Sequence, residues 1–283
     1  MITQNDILAI TKQSELYPAE WKSLSDSPER IYVVGNVKLL QTKKFVVVGA
    51  RRTPTTALKT GGEIVKGLTG AFTIVTGSAD GGDVTAIENA LPSGNIICVL
   101  AGGFGALPQS SYTLLERVAK NGLLIALHPF ETEVRAFSYE YRNKMLATLG
   151  EGVLVLGAGE KSGALITAKY AKKQGKKIFA LPYPPNTDVG VGCNALIKGG
   201  AYLTENAKDV YQAFGLDAPK PVQVSLTDTE RQVLQVLKIK VTAHVVELAE
   251  ETGLPTYTLQ AVLSAMQVKG VAVHLGGNRY SPV

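Results

Sequence analysis

The sequence predicts an α/β protein with an extended Rossmann-like parallel sheet and a small C-terminal winged-helix-like domain. Three observations support this prediction. Short β-branched runs alternate with helix-compatible stretches between residues 45 and 181, two of these runs stop at glycine-rich turns, and a segment with prolines near residue 215 precedes a three-helix pattern. Alternation of this kind is typical of doubly wound sheets, which bind ligands beyond the carboxyl ends of their strands.

The first 44 residues are irregular and are predicted to be a lead-in to the main domain. Tyr17-Pro18 and Ser27-Pro28 are extended or turn signals, and a strand is predicted from Ile31 to Val34. The main domain then runs from residue 45 to 214. Its predicted strands are 45–48, 73–76, 96–100, 123–127, 152–156 and 178–181.

The composition changes after the main domain. Residues 215–225 are predicted to be a linker, since they contain Gly215, Pro219 and Pro221. Residues 226–283 then show the winged-helix pattern of three helices and a hairpin. The features that predict it are a capping box from Thr227 to Glu230, a helix around 242–252, a third helix from about Thr256 to Val268, and a glycine-turn hairpin from Val271 to Tyr280.

Composition and charge limit the classes of function. The chain has 283 residues and no apolar run of the roughly 18–20 residues that span a bilayer, and its N-terminus lacks a signal-peptide pattern, so we expect a cytoplasmic protein that does not bind membranes. The two cysteines, Cys98 and Cys193, are far apart and indicate neither a disulfide framework nor a metal site. No cofactor or metal is expected.

The net charge of +5 is unevenly distributed along the chain. From residue 222 onward, five basic and five acidic residues balance, so the whole excess lies in residues 1–221. If the protein binds a polyanion, the main domain is therefore the predicted contact surface.

The first glycine turn is Gly49-Ala50-Arg51-Arg52-Thr53, directly after the strand 45–48. Glycine allows the backbone to approach an anion closely, and an arginine fork donates to phosphate oxygens. The alternative interpretation is a strand that ends in a solvent-exposed basic turn.

The second turn runs from Gly77 to Asp83 and follows the strand 73–76. Its glycines and Ser78 can present N–H groups as an anion-binding nest. It does not match the dinucleotide fingerprint, because the glycine spacing differs and Asp80 and Asp83 would bring negative charge to a pyrophosphate. Asp83 can instead cap the following helix, and both interpretations remain open.

Two further segments carry candidate binding residues. Tyr139-Glu140-Tyr141-Arg142-Asn143-Lys144 combines aromatic rings with basic side chains, as in single-strand binders, although the same pattern fits ordinary helix packing. Ser162-Gly163 opens a helix that continues through Lys169 to the lysines at 172, 173, 176 and 177. These lysines can complement the helix dipole or form a basic face.

The order of these motifs resembles the DprA/Smf family of single-stranded-DNA-binding proteins, from about Tyr17 to Val210. The family pattern V-G-S/A-R matches Val48 to Arg51, and S-G-x-A-x-G-x-D matches Thr76 to Asp83. Its F-P-x-R-N-R is similar to Tyr139 to Lys144. The patterns S-G-x-L-I-T-A and G-x-N-x-L-I match Ser162–Ala168 and Gly192–Ile197.

The resemblance implies a protein without catalytic turnover that binds single-stranded DNA in a basic pocket, forms a homodimer, protects incoming DNA in natural transformation and loads the RecA recombinase. It implies that Arg51, Arg142 and Lys144 hold phosphates and that Tyr139 lies near the bases. The candidate nucleic-acid-binding residues are Gly49, Arg51, Arg52, Gly77, Ser78, Tyr139, Arg142, Asn143, Lys144, Ser162, Gly163 and Lys169.

The sequence departs from the family pattern in several places. Ile87 stands where the family has a histidine, Gly157 where it often has an acid, and Glu140 where it has a proline, and no full N-terminal helical domain is recognised. These changes are compatible with DNA binding, which relies on basic side chains and backbone donors. They give less support to the expected RecA partnership and competence role than the motifs that match.

Two other classes of function remain open. A phosphoribohydrolase-like enzyme or nucleotide sensor would use similar turns, but Ala101 to Pro108 lacks the leading proline and the threonine of P-G-G-x-G-T-x-x-E. A winged-helix transcription regulator would read duplex DNA with Thr256 to Lys269, a segment with Lys269 as its one basic residue. Turnover of a nucleoside monophosphate, or a preference for duplex DNA, would favour these alternatives.

Overall fold

The computed structural model describes residues 2–219 and 225–282, which fall into two compact units that divide between residues 219 and 220. Residues 220–224 of the predicted linker lie outside the described residues. Each unit has its own apolar core.

The first unit is built on one sheet of nine strands among the described residues. In chain order these are β1 Leu8–Thr11, β2 Arg30–Gly35, β3 Lys44–Val48, β4 Thr73–Thr76, β5 Ile96–Leu100, β6 Leu123–Ala126, β7 Gly152–Val155, β8 Lys177–Ala180 and β9 Tyr202–Leu203. Their order across the sheet is β1-β2-β6-β5-β4-β3-β7-β8-β9. The pairs β1-β2 and β2-β6 are antiparallel, and all the other pairs are parallel.

Helices cover both faces of this sheet. They are α1 Ala19–Lys22, α2 Thr55–Leu68, α3 Gly82–Ala90, α4 Tyr112–Asn121, α5 Ala136–Leu149, α6 Gly163–Lys173, α7 Val191–Lys198 and α8 Ala207–Phe214. Helices α1, α5, α6 and α7 share one core layer, and α2, α3, α4 and α8 share the other. Because side chains alternate along a strand, Val46 and Val48 of β3 enter the first layer, whereas Phe45 and Val47 enter the second.

The topology changes direction beside β3. Strands β4, β5 and β6 follow on one side of β3, and the chain then returns to form β7 on its other side. The carboxyl ends of β3 and β7 therefore flank a switch point, where the connections leave towards opposite sides and open a crevice. The first glycine turn follows β3, and the segment that leads to α6 follows β7.

The second unit contains three helices and a small sheet. Its elements are α9 Asp228–Lys240, β10 Ala243–His244, α10 Val245–Thr252, α11 Thr256–Val268, β11 Ala272–Gly276 and β12 Arg279–Pro282. The strand order is β10-β12-β11. The capping box at the start of α9 is present, since Thr227 accepts from the Glu230 amide at 3.2 Å and Glu230 accepts from the Thr227 amide at 2.7 Å.

The parallel sheet and the helices predicted from the sequence are confirmed. The strands β1, β9 and β10 were not predicted, and each is recognised in the structure by its pairing with a neighbouring strand. Residues 2–44 of the predicted lead-in supply two strands at one end of the sheet and so belong to its core architecture. Across residues 2–219 and 225–282, no helix is both long and apolar enough to cross a membrane.

Candidate functional site

A cleft of about 320 Å³ lies at the switch point between β3 and β7. Segments that are far apart in the sequence form its walls: the turn after β3, the turn after β4 with the start of α3, and the first two turns of α5 and α6. The lining residues are Val48, Gly49, Ala50, Arg51, Ala79, Asp83, Tyr139, Arg142, Asn143, Ser162, Gly163, Ala164 and Thr167. The structure thus brings together residues from four motifs identified in the sequence.

Two glycines allow the first and second turns to pack backbone against backbone. A Cβ atom added to Gly49 would lie 2.9 Å from the Cα of Gly82, and one added to Gly82 would lie 2.3 Å from the Cα of Gly49. A side chain at either position would separate β3 from the N-terminus of α3. The glycines are therefore required for the close approach that forms this wall of the cleft.

Arg142 and Asp83 form a buried ion pair in the cleft. Arg142 is 5% exposed and Asp83 is 4% exposed, and Nη1 of the arginine lies 3.6 Å from Oδ2 of the aspartate. Burial raises the pKa of Asp83, and the charge of Arg142 opposes this shift. Asp83 also accepts from the amide of Ala79 at 3.2 Å, so its carboxylate fixes the second turn.

Gly77 makes room for this guanidinium. A Cβ atom added to Gly77 would fall 1.4 Å from Nη1 of Arg142, which no side chain could accommodate without moving the arginine. Nη1 also donates to the carbonyl of Val99 at 3.4 Å, and Nε has no partner among the described residues. We refer to Asp83 and Arg142, together with Gly77, which packs against the guanidinium but does not line the cavity, as the floor of the cleft.

Arg51 and Tyr139 form the rim of the cleft, and both side chains are exposed. Within the described residues, the Arg51 guanidinium has no ion-pair partner within 4.0 Å. Tyr139, near the start of α5, is 42% exposed. Both also line an adjoining recess of about 160 Å³ that contains Ser78. The rim therefore presents an exposed cation and an exposed aromatic face.

The N-terminus of α6 supplies backbone donors on the opposite wall. Ser162 is its N-cap and accepts from the amide of Ala164 at 3.3 Å, and Asn143 donates to the carbonyl of Gly163 at 3.2 Å. The cap at Ser162 thus satisfies the Ala164 amide, and the helix dipole favours negative charge at this end of α6. Thr167, one turn further along, is buried and its hydroxyl has no partner among the described residues.

The remaining candidate residues lie outside the lining of the cleft. Arg52 is exposed beside the first turn, and Lys169 is exposed further along α6. Lys144 points to the lead-in segment, where its ammonium binds Oδ1 of Asp26 at 2.6 Å. The sequence motif does not show that Arg142 lines the cleft and Lys144 does not, because nearby residues of a helix point in different directions.

The three departures from the family pattern have structural explanations. Ile87 is fully buried in the apolar layer under α3. A Cβ atom added to Gly157 would lie 2.5 Å from the Thr53 hydroxyl, so a larger residue would need a different local packing. Glu140 is exposed and accepts from the Tyr170 hydroxyl at 3.2 Å. None of the three lines the cleft.

Sequence reasoning missed Thr167 and the residues of the adjoining recess, among them Leu107, Pro108 and Val134. Thr167 lies within the matched S-G-x-L-I-T-A pattern, which was the available signal. The sequence of Ala101 to Pro108 carries no binding signal of its own and does not match the enzyme signature. Its place beside the cleft depends on the order of the strands, which the sequence does not specify.

Comparisons with known proteins agree with this architecture. Residues 8–215 match the family model described as DNA recombination-mediator protein A, and residues 217–278 match the DprA winged helix domain. The chain is 32% identical over 216 residues to the DNA processing protein DprA of Bacillus subtilis, covering 74% of this chain and 72% of the relative. It is 30% identical over 202 residues to the Streptococcus pneumoniae protein of the same name, covering 71% and 72%.

Two solved structures of DprA proteins have a fold similar to that of this chain. The Streptococcus pneumoniae DprA structure aligns with a TM-score of 0.70 and 29% identity, covering 73% of this chain and 74% of that one. A structure of DNA processing protein A from Helicobacter pylori, described as revealing a single-stranded DNA binding mode, aligns with a TM-score of 0.67 and 27% identity. It covers 74% of this chain and 95% of that one.

Proposed function

The chain belongs to the DNA recombination-mediator protein A family, and we propose that it binds single-stranded DNA through the cleft at the switch point. The observation that carries this proposal is the convergence of Arg51, the buried Arg142 and the α6 N-terminus on one cavity. All three are suited to an anion, and phosphate is the anion repeated along a polynucleotide.

Each wall of the cleft has a distinct role in this proposal. Arg51 donates from the rim to a phosphate, and the positive end of the α6 dipole at Gly163 attracts the same charge. Arg142 lies on the floor with its charge partly balanced by Asp83, while Tyr139 offers a ring on which a base can stack. Base stacking and phosphate contacts are largely independent of sequence, so we expect binding without strong base preference.

The structure favours binding over turnover. Asp83 is the one carboxylate among the described residues that line the cleft, and it is held by Arg142 and the Ala79 amide. A general acid or base must reach the proton that it transfers. We therefore propose that the protein is not an enzyme, in agreement with the mediator role of its family.

The wider biological role follows from the family. We propose that the chain acts as a homodimer in the cytoplasm, protects single strands and assists the loading of RecA during recombination or natural transformation. Size measurement of the free protein and a pull-down with purified RecA test these two partnerships. A monomer at all concentrations, or no RecA retained with or without DNA, would contradict them.

Titration of labelled single-stranded oligo-dT, with the same length of duplex as a competitor, tests the main proposal. We expect single strands to bind more tightly and the affinity to fall steeply with salt. Arg51→Ala should weaken binding roughly tenfold or more, because a hydrogen bond to a charged group contributes about 1.5–3 kcal/mol. Arg30→Ala, an exposed arginine on β2, is the matched control and should bind normally.

Two results would reject the proposal. One is a clear preference for duplex DNA, which would favour a transcription regulator. The other is release of free base from a nucleoside monophosphate by the unaltered chain but not by Arg51→Ala, which would favour a phosphoribohydrolase-like enzyme.

A further inference from the structure

The adjoining recess lies beside the cleft, at the carboxyl ends of β4 and β5. Its walls come from the turn after β4, the segment after β5 and the start of α5, and its volume is about 160 Å³. Arg51 and Tyr139 line both the recess and the cleft, so these two side chains form a ridge between the two cavities. A strand that leaves the cleft across this ridge enters the recess.

Two loops that pack closely together hold the recess open. The amide of Gly103 donates to the carbonyl of Thr132 at 2.9 Å. A Cβ atom added to Gly102 would lie 2.7 Å from Cγ2 of Val134, which itself lines the recess. The segment after β5 is therefore fixed against the segment before α5, and the cavity is preformed, as is usual for ligand sites.

Asp80 supplies the recess with an uncommitted hydrogen-bond acceptor. Its side chain is exposed, and among the described residues its carboxylate makes neither an ion pair nor a hydrogen bond. Asp83, by contrast, is buried and is held by Arg142 and the Ala79 amide. Three hydroxyls of the recess also have no side-chain hydrogen bond within the part of the chain that the structure describes: those of Ser78, Ser110 and Ser111.

These groups favour a neutral ligand with an amino group. The carboxylate of Asp80 repels a phosphate, and the guanidinium of Arg51 repels a cation. A nucleobase with an exocyclic amino group satisfies both constraints, because its N–H groups donate to a carboxylate and its carbonyl oxygen accepts from a hydroxyl. Leu107, Pro108 and Tyr139 give the recess apolar and aromatic walls, against which the ring of a base can pack.

We propose that the recess binds one nucleobase of the strand and that Asp80 selects a base with an amino group, such as cytosine, over thymine. This inference rests on the proposed function. The strand passes from the cleft over Arg51, which contacts its phosphate, and the next base enters the recess beside Tyr139. Thymine has a carbonyl oxygen where cytosine has its amino group, so thymine and Asp80 would place two acceptors opposite each other. The selection acts on one nucleotide of a strand that is otherwise bound without regard to sequence.

The test compares strands that differ at one position of the pyrimidine ring. Labelled oligo-dC, oligo-dT and a strand of equal length, built from a cytosine analogue with hydrogen in place of the amino group, are titrated with the full chain by fluorescence anisotropy. The salt concentration is the same throughout, and the pH is above neutral so that cytosine is uncharged.

Asp80→Asn is the test variant, because it keeps the shape of the side chain but removes its charge and adds a donor. Glu133→Gln is the matched control. Glu133 is exposed and lies beside Val134, but it does not line the recess, so the control changes the net charge equally. A thermal melt checks that each variant is folded.

We expect the unaltered chain to bind oligo-dC roughly fivefold more tightly than oligo-dT or the analogue strand, because a hydrogen bond to a charged acceptor is gained. Asp80→Asn should bind oligo-dC and oligo-dT about equally, since an amide accepts from cytosine and donates to thymine. Glu133→Gln should keep the original ratio of affinities.

The outcomes separate this inference from the proposed function. If the unaltered chain binds oligo-dC no more tightly than the other strands, or if Asp80→Asn keeps the preference, the recess does not select an amino group, whereas the cleft proposal stands. If Glu133→Gln removes the preference as fully as Asp80→Asn, the effect is one of net charge and the inference is overturned. If Arg51→Ala binds all the strands normally, or the unaltered chain binds none of them, the proposed function fails as well.

Discussion

The floor and the rim of the cleft contain the same type of residue in opposite states. Arg142 on the floor is buried, paired with Asp83 and fitted over Gly77, whereas Arg51 on the rim is exposed and has no ion pair among the described residues. A buried charge without its partner is strongly destabilising. The Arg142–Asp83 pair of the floor is therefore needed for the stability of the fold. One motif-matched arginine therefore stabilises the site, while the other is free to bind.

The largest expected effect comes from filling the space over Gly77. In Gly77→Ala, the new methyl group would occupy the position of the Arg142 guanidinium and break its ion pair. Loss of a buried pair costs about 3–5 kcal/mol, so we expect the melting temperature to fall by roughly 10 °C and DNA binding to be lost. Calorimetry and anisotropy measure the two effects.

Gly70→Ala is the control for this substitution. A Cβ atom at Gly70 would have its nearest neighbours 3.9 and 4.0 Å away, and this exposed position lies outside the cleft lining. If both alanine variants melt alike, the floor is not rigid and the comparison with the rim fails.

Arg142→Met is the next largest change and tests the charge balance of the floor. The variant leaves Asp83 buried without its cation, and we expect a loss of about 3 kcal/mol in the free energy of unfolding. Adding Asp83→Asn should recover a substantial part of the stability but not the DNA affinity. Additive losses in a double-mutant cycle would show that the two side chains do not interact.

Arg51→Glu tests the rim and should separate binding from stability. An exposed side chain contributes little to folding, so urea unfolding should change by less than about 0.5 kcal/mol. Binding to oligo-dT should fall more than in Arg51→Ala, because a donor is replaced by a repulsive carboxylate. A large loss of stability would show that Arg51, like Arg142, stabilises the fold. The contrast between the rim and the floor would then be wrong.

Tyr139→Ala should have a smaller effect, again on binding alone. Stacking of one base on an aromatic ring contributes about 1–3 kcal/mol, and Tyr139→Phe should keep it because the ring is retained. Equal losses in the alanine and phenylalanine variants would indicate that the hydroxyl, and not the ring, makes the contact.

The smallest effect is expected from ending the chain after Pro219. The second unit has its own core, and the charges from residue 222 onward cancel. The electrostatic part of the affinity should therefore remain, with a change of less than about threefold. Loss of binding by a truncated chain with an unchanged melting profile for the first unit would show that the second unit contributes directly.

Much of the fold and part of the site could be predicted from the sequence. β-Branched runs marked β3 to β8, and the glycines after β3 and β4 correctly indicated turns at the carboxyl edge, because both signals are local. The pairing of Arg142 with Asp83 was not predictable in this way. It depends on how α5 and α3 pack across the sheet, and no local pattern encodes that distance.

The same limit applies to the direction of side chains. Lys144 and Arg142 belong to one motif, yet the helix points one to Asp26 and the other into the cleft. Lys169, another candidate binding residue, lies on the exposed side of α6 and outside the cleft lining. The resemblance to the family was confirmed, whereas the binding roles of individual residues, the homodimer and RecA remain predictions.

Photo-crosslinking tests most directly whether DNA occupies the cleft. An oligo-dT that contains 5-iodouracil is irradiated with the full chain, and the crosslinked peptides are identified by mass spectrometry. We predict that the main crosslink is to Tyr139 and that Arg51→Glu removes it. Crosslinks confined to residues 225–282, or a Tyr139 crosslink that persists unchanged in Arg51→Glu, would contradict the account.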